Sequence, residues 1–172
     1  MPGRYAARID EAANREHLMQ LVGFRVGKEL FGVDILMVQE IIRAAPITAV
    51  PNSLEFVEGV INLRGNIIPV IDLRKRLGFF DQESAPKGSW ILILNIDSRV
   101  TGFIVDFVTE VLKIQESKIE PPPDIVVAGL ENQYIRGVCE IDQNLLIILD
   151  FSRILMVDEI KRLKQMPSSS LS

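Results

Sequence analysis

The chain carries one pattern twice, and this duplication constrains its fold more than any other feature. FVEGVINLRGNIIPVIDLRKRL, from Phe56 to Leu77, lies over YIRGVCEIDQNLLIILDFSRIL, from Tyr134 to Leu155, without a gap at a constant offset of 78. Gly59, Val60, Asn66, Asp72 and Leu77 fall on Gly137, Val138, Asn144, Asp150 and Leu155, and Phe56 meets Tyr134. Upstream, Gly32 through Val38, Glu40 and Ile41 lie over Gly102 through Val108, Glu110 and Val111, and the Ile47 to Pro51 stretch lies over Ile119 to Pro123. Each copy has roughly 65–70 residues, near the size below which a core no longer supports itself. Two such units gain by packing together, so one cooperative body with an internal seam is expected.

Inside each copy the apolar residues come in short runs separated by turn residues. The pattern predicts strands over 21–26, 30–33, 57–63 and 67–71, with the second copy repeating them over 90–96, 100–106, 134–141 and 145–149. Arg64-Gly65-Asn66 and Asp142-Gln143-Asn144 read as the tight turns. Asp34 is placed to accept from the amides of a short helical turn over 35–37, and the β-branched pair Ile41-Ile42 marks 38–43 as a strand. Pro69 has no amide donor, which predicts an edge strand or an outward-facing position. The nearly continuous apolar run Trp90 to Ile96 predicts a strand buried on both faces. Asp72 and Asp150 each precede a short helix, the first stopped by Gly78.

The resulting division is a tail at 1–17, a first barrel copy at 18–83, a linker at 84–89, a second copy at 90–157, and a helix with a tail at 158–172. The repeat alone does not say whether strands exchange between the copies. Many short strands closed off by brief helical turns imply an all-β fold of small barrels, since closure removes exposed edges.

Chemistry is sparse. The lone histidine, His17, falls in the tail, and the lone cysteine, Cys139, reads as a buried structural thiol within a strand. No His, Cys and carboxylate grouping has metal-ligand spacing, and no phosphate-cradling loop is present. Asp72 and Asp150 are the best candidates for a carboxylate pair, but each is better explained as a helix cap. No enzyme activity, cofactor or metal is expected. A net charge of −4 argues against nucleic acid, and Arg74-Lys75-Arg76 reads as the solvated face of a helical turn. The absence of a long apolar run and the polar, acid-bearing start of the chain point to a cytoplasmic protein without membrane insertion.

What remains is surface. Ile35, Val38, Ile41 and Ile42, with Val108, Val111 and Leu112 in the second copy, exceed what one small core needs, and some of them are expected to line a groove at the seam that accepts a partner helix. Arg64, in a turn where its side chain need not support the fold, is a candidate recognition arginine.

GVDILMVQEIIR, the ITAVP segment and above all FVEGVINLRGNIIPVIDLRKRLG closely resemble the CheW family of bacterial chemotaxis coupling proteins, over roughly Leu21 to Leu155. The resemblance implies two packed five-stranded SH3-like β-barrels and a stand-alone adaptor. Such proteins join the cytoplasmic tips of chemoreceptors (methyl-accepting chemotaxis proteins) to the regulatory domain of the histidine kinase CheA, at membrane-associated receptor arrays. Carried onto this chain, it implies receptor recognition and coupling at Val38, Glu40, Gly59, Arg64, Gly65 and Val111, with Ile35, Ile42 and Val108 lining the groove. Glu58 departs from the pattern, since that position is often basic in relatives. The same adaptor role in pilus-based motility or another chemosensory pathway fits the residues equally, and an RNA-binding barrel is the remote alternative.

Overall fold

A computed structural model describes residues 18–43, 45–78, 89–122 and 132–155. The tail with His17, the linker up to residue 88, residues 123–131 and the C-terminal helix expected near 158–165 lie outside the described residues. The elements run β1 (Leu18–Val26), β2 (Glu29–Asp34), a 3-10 turn (Ile35–Met37), β3 (Val38–Arg43), β4 (Val57–Leu63), β5 (Asn66–Asp72), α1 (Leu73–Arg76), β6 (Trp90–Ile96), β7 (Arg99–Val105), β8 (Phe107–Gln115), β9 (Ile135–Ile141), β10 (Asn144–Leu149) and α2 (151–155).

These strands form two five-stranded sheets, in the orders β8-β1-β2-β10-β9 and β3-β6-β7-β5-β4. We call the first barrel A and the second barrel B. The division into contiguous halves at 18–83 and 90–157 therefore describes the repeat and not the barrels. The hairpin β1–β2 leaves its own copy to pair with β8 and β10, and β6–β7 makes the reciprocal exchange with β3 and β5. The two orders superpose strand for strand under the repeat, giving a pseudo-twofold molecule in which each barrel combines two strands of one copy with three of the other. Periodicity specifies which face of a strand is buried but not which strand lies beside it, so this exchange is invisible in the sequence.

Alternation along the strands builds three apolar layers. Met19, Leu21, Ile114, Cys139, Leu146 and Ile148 fill barrel A, and Ile61, Ile68, Val70, Ile91 and Ile93 fill barrel B. The opposite faces of both sheets meet in one shared core that includes Phe24, Phe31, Leu92, Leu94, Phe103, Ile147, Leu149, Phe151 and Ile154. Leu92 and Leu94 point into the shared core while Ile91 and Ile93 point into barrel B, which explains the unbroken apolar run of β6. At the centre, Phe151 from α2 contacts Phe103 of barrel B edge-on at 4.9 Å and Phe24 of barrel A at 6.4 Å.

β5 lies inside its sheet, between β7 and β4, so of the two expected alternatives the outward-facing position holds, Pro69 being exposed. Pro69 is tolerated there because Val60, its partner on β4, turns both its N–H and its C=O to Thr48, each at 2.9 Å, and pairing with β7 starts only at Val70. No ladder bond is asked of the proline.

Candidate protein-docking site

The two copies of the VQEI-type segment, β3 and β8, occupy equivalent edge positions of the two sheets. In a regular strand, residues three apart face opposite sides. Here each strand carries a bulge that brings such a pair to one side. Val38 pairs with Leu94 and Ile41 with Leu92, so four residues of β3 lie against three of β6; likewise Val108 pairs with Phe24 and Val111 with Val22. Leu92, Leu94, Val22 and Phe24 all belong to the shared core, and Val38, Ile41 and Val108 pack against it, while Val111 lies on the same side of its strand as Val108 but stays exposed. Val38, Ile41 and Val108 are half-buried, and Val111 is 48% exposed.

This corrects the expected groove. The seam between the barrels is packed by its own side chains, and what reaches the surface is an apolar rim on each side of it. Ile35 packs against the shared core, whereas Ile42 packs into barrel B and is no part of the seam.

Glu40 and Arg64 are brought together from β3 and from the β4–β5 turn. Arg64 donates Nη1 to Glu40 Oε2 at 2.8 Å and Nη2 to Oε1 at 2.7 Å, a planar two-bond match, and this pairing strengthens the guanidinium's hold on its proton. The arginine is held at φ 53°, a conformation that favours glycine or asparagine. Its side chain therefore carries something the turn itself does not need. Gly65 follows at φ 85° with open space around its α-carbon, and its N–H donates to Asn62 Oδ1 at 2.9 Å. Gly59 plays a different part. It is buried at φ 149°, and a methyl group there would lie 2.1 Å from the Thr48 carbonyl oxygen, so it serves the close passage of residue 48 and offers no outward surface.

The carboxylates and the thiol have structural occupations. Asp72 accepts from Arg74 N at 3.0 Å and Asp150 from Arg153 N at 3.1 Å, the two expected caps. Burial, then the charge of Glu58, raises the Asp72 carboxyl above its ordinary value despite bonds from the helix amides. Glu58 is neutralised locally by Lys75 at 2.7 Å. Cys139 is buried, and that burial pushes its thiol up. Among the described residues no group of three or more His, Cys, Asp or Glu could hold a metal ion, and no helix is long and apolar enough to cross a membrane.

The reading of Arg74-Lys75-Arg76 as a solvated face is overturned. Only Lys75 is half-exposed; Arg74 and Arg76 are buried. Arg74 Nη2 meets Asp106 Oδ2 at 2.6 Å, and Arg76 donates to the Ile154 carbonyl at 3.1 Å between the rings of Phe56 and Tyr134. Sequence reasoning missed Asp106 and Leu36 altogether; neither stands in a pattern that marks it, and Leu36 is 89% exposed on the 3-10 turn.

A family model described as CheW-like domain matches residues 20–169. The chain belongs to the CheW family. It is 32% identical to a chemotaxis protein CheW of Treponema pallidum over 94% of this chain and 96% of that one. It is 34% identical to that of Klebsiella aerogenes over 89% and 91%. Among solved structures, the scaffolding protein TtCheW from Thermoanaerobacter tengcongensis superposes with a TM-score of 0.73 at 40% identity, over 79% of this chain and 86% of the other. The two SH3-like barrels expected from the resemblance are the fold observed.

Proposed function

We propose that the protein is a non-enzymatic cytoplasmic adaptor that couples the cytoplasmic tips of chemoreceptors to the regulatory domain of the histidine kinase CheA, within membrane-associated arrays. The observation that carries this reading is the pair of bulged edge strands. They hold Val38, Ile41 and Val108 half-buried against the shared core, with Val111 exposed beside it. A receptor's helical hairpin laid along the rim contributes apolar anchors to it. The Glu40–Arg64 pair beside β3 sets register, Arg64 exchanging or sharing its carboxylate partner when the receptor arrives. Gly65 keeps the turn narrow enough for that approach. A separate barrel surface takes the kinase domain. Pairwise affinities on the order of micromolar are then made effective by multivalency in the array.

Reconstitution of receptor tips, CheA and this protein tests the reading by kinase autophosphorylation and by pull-down. Arg64→Ala and Val111→Asp are expected to lower receptor binding and kinase activation several-fold while the urea midpoint stays close to the parent's. Retention of both activities by Arg64→Ala would remove the role given to that arginine.

A further inference from the structure

We propose that Arg74 and Asp106 form an inter-barrel pin, a pair of positioning residues that fixes the angle between the two barrels and thereby the spacing of the two rims. Among the described residues the chain passes from barrel A to barrel B between β2 and β3, and returns between β7 and β8. Asp106 stands at the return. Its Oδ2 accepts from Arg74 Nη2 of α1 at 2.6 Å and from Gly27 N of the β1–β2 turn at 2.7 Å, and its own N–H donates to the Arg25 carbonyl at 2.9 Å. One buried carboxylate thus ties the helix of barrel B to a hairpin of barrel A.

Arg76, on the same helix, also links the two copies. Its guanidinium stands 5.0 Å from the Phe56 ring and 4.8 Å from the Tyr134 ring, which occupy equivalent positions in the two copies. The Ile154 whose carbonyl it meets is its own repeat counterpart.

The arrangement has no twin. Under the repeat, Asp106 corresponds to Leu36, Arg74 to Ser152 and Gly27 to Asp97. Where one crossing holds a buried carboxylate, the other holds an 89% exposed leucine on a 3-10 turn, beside a surface notch of about 330 Å³ lined by Leu18, Asp34 and Arg136 among others. Two barrels of the same topology would both need the pair if it served the barrel fold itself. Only one crossing carries it, so its service is to the relation between barrels. A buried ion pair suits that purpose, because it is satisfied in one directional geometry whereas apolar contacts repack.

The consequence for binding rests on the rim reading above. Val38 belongs to barrel B and Val111 to barrel A, so the angle between barrels decides what can touch both. The test places spin labels on the full chain at Ile67→Cys of barrel B and Leu145→Cys of barrel A, both exposed, in a Cys139→Ala background. The label-to-label distance distribution is then read by pulsed electron resonance. Arg74→Met is expected to widen it at least twofold while hydrogen exchange at β1, β2, β6 and β7 stays protected, and Arg74→Lys is expected to restore most of the narrow distribution. Should Arg74→Met fail to fold, Asp106→Asn, which keeps an acceptor for Gly27, is read the same way. An unchanged distribution overturns the pin and leaves the docking reading untouched. A widened distribution with unchanged receptor-tip affinity supports the pin and removes the rim reading instead.

Discussion

Gly59 and Gly65, both drawn from one motif, would respond to an added methyl group very differently. At Gly59 an alanine meets the backbone of residue 48 and a positive φ together, so Gly59→Ala is expected to cost about 3 kcal/mol or more in urea denaturation. At Gly65 only the φ of 85° opposes it, and Gly65→Ala is expected to cost about 1 kcal/mol. Equal losses would mean that the two glycines share one role. Asp72 supplies a pH signature. Its carboxyl is raised above the ordinary 3.8, so between that value and its folded value the native state holds more protons than the unfolded chain. Stability from this group is complete below the window and is lost as pH rises through it. Asp72→Asn keeps the capping oxygen without the charge and is expected to raise the denaturation midpoint slightly at pH 7, the gain disappearing in acid. Asp72→Ala loses the cap and is expected to cost about 1 kcal/mol at pH 7. A gain for Asn that grows toward acid would contradict the burial argument.

At the scale of elements, much of what the chain does was readable and some was hidden for definable reasons. The 3-10 turn capped by Asp34, whose Oδ1 accepts from Leu36 N at 3.0 Å, and strand β3 fall where Asp34 and the Ile41-Ile42 pair place them. The bulges in β3 and β8 were not legible, because an extra residue shows only against a partner strand, and it is the bulges that turn Val38 with Ile41 and Val108 with Val111 toward one side. The residue types were therefore legible in the sequence while their common orientation came from pairing. The helix α1 shows the opposite failure. Arg74-Lys75-Arg76 looks solvated because the acid that neutralises Arg74 lies 32 residues further on. Both members of the Arg74–Asp106 pair are about nine-tenths buried, so removing one leaves the other charged without this partner. Arg74→Met and Asp106→Leu are each expected to destabilise by about 3–5 kcal/mol, and the double substitution by clearly less than their sum. Additive losses would show that the two side chains act separately.

The whole molecule is a duplication that has exchanged hairpins with itself. Exchange makes each barrel depend on both copies and leaves the two bulged edges on opposite borders of a common core. The duplication was plain in the sequence and the exchange was not, since the hairpin β1–β2 carries the same alternation whichever sheet receives it. On the proposed reading, a receptor tip touches both borders at once. Methyl-labelled protein titrated with a receptor-tip fragment tests this most directly by nuclear magnetic resonance. The expected result is that the methyl signals of Val38, Ile41, Val108 and Val111 shift together with one saturation curve. Shifts confined to the exposed Leu145 of β10, with the four rim residues unmoved, would contradict it.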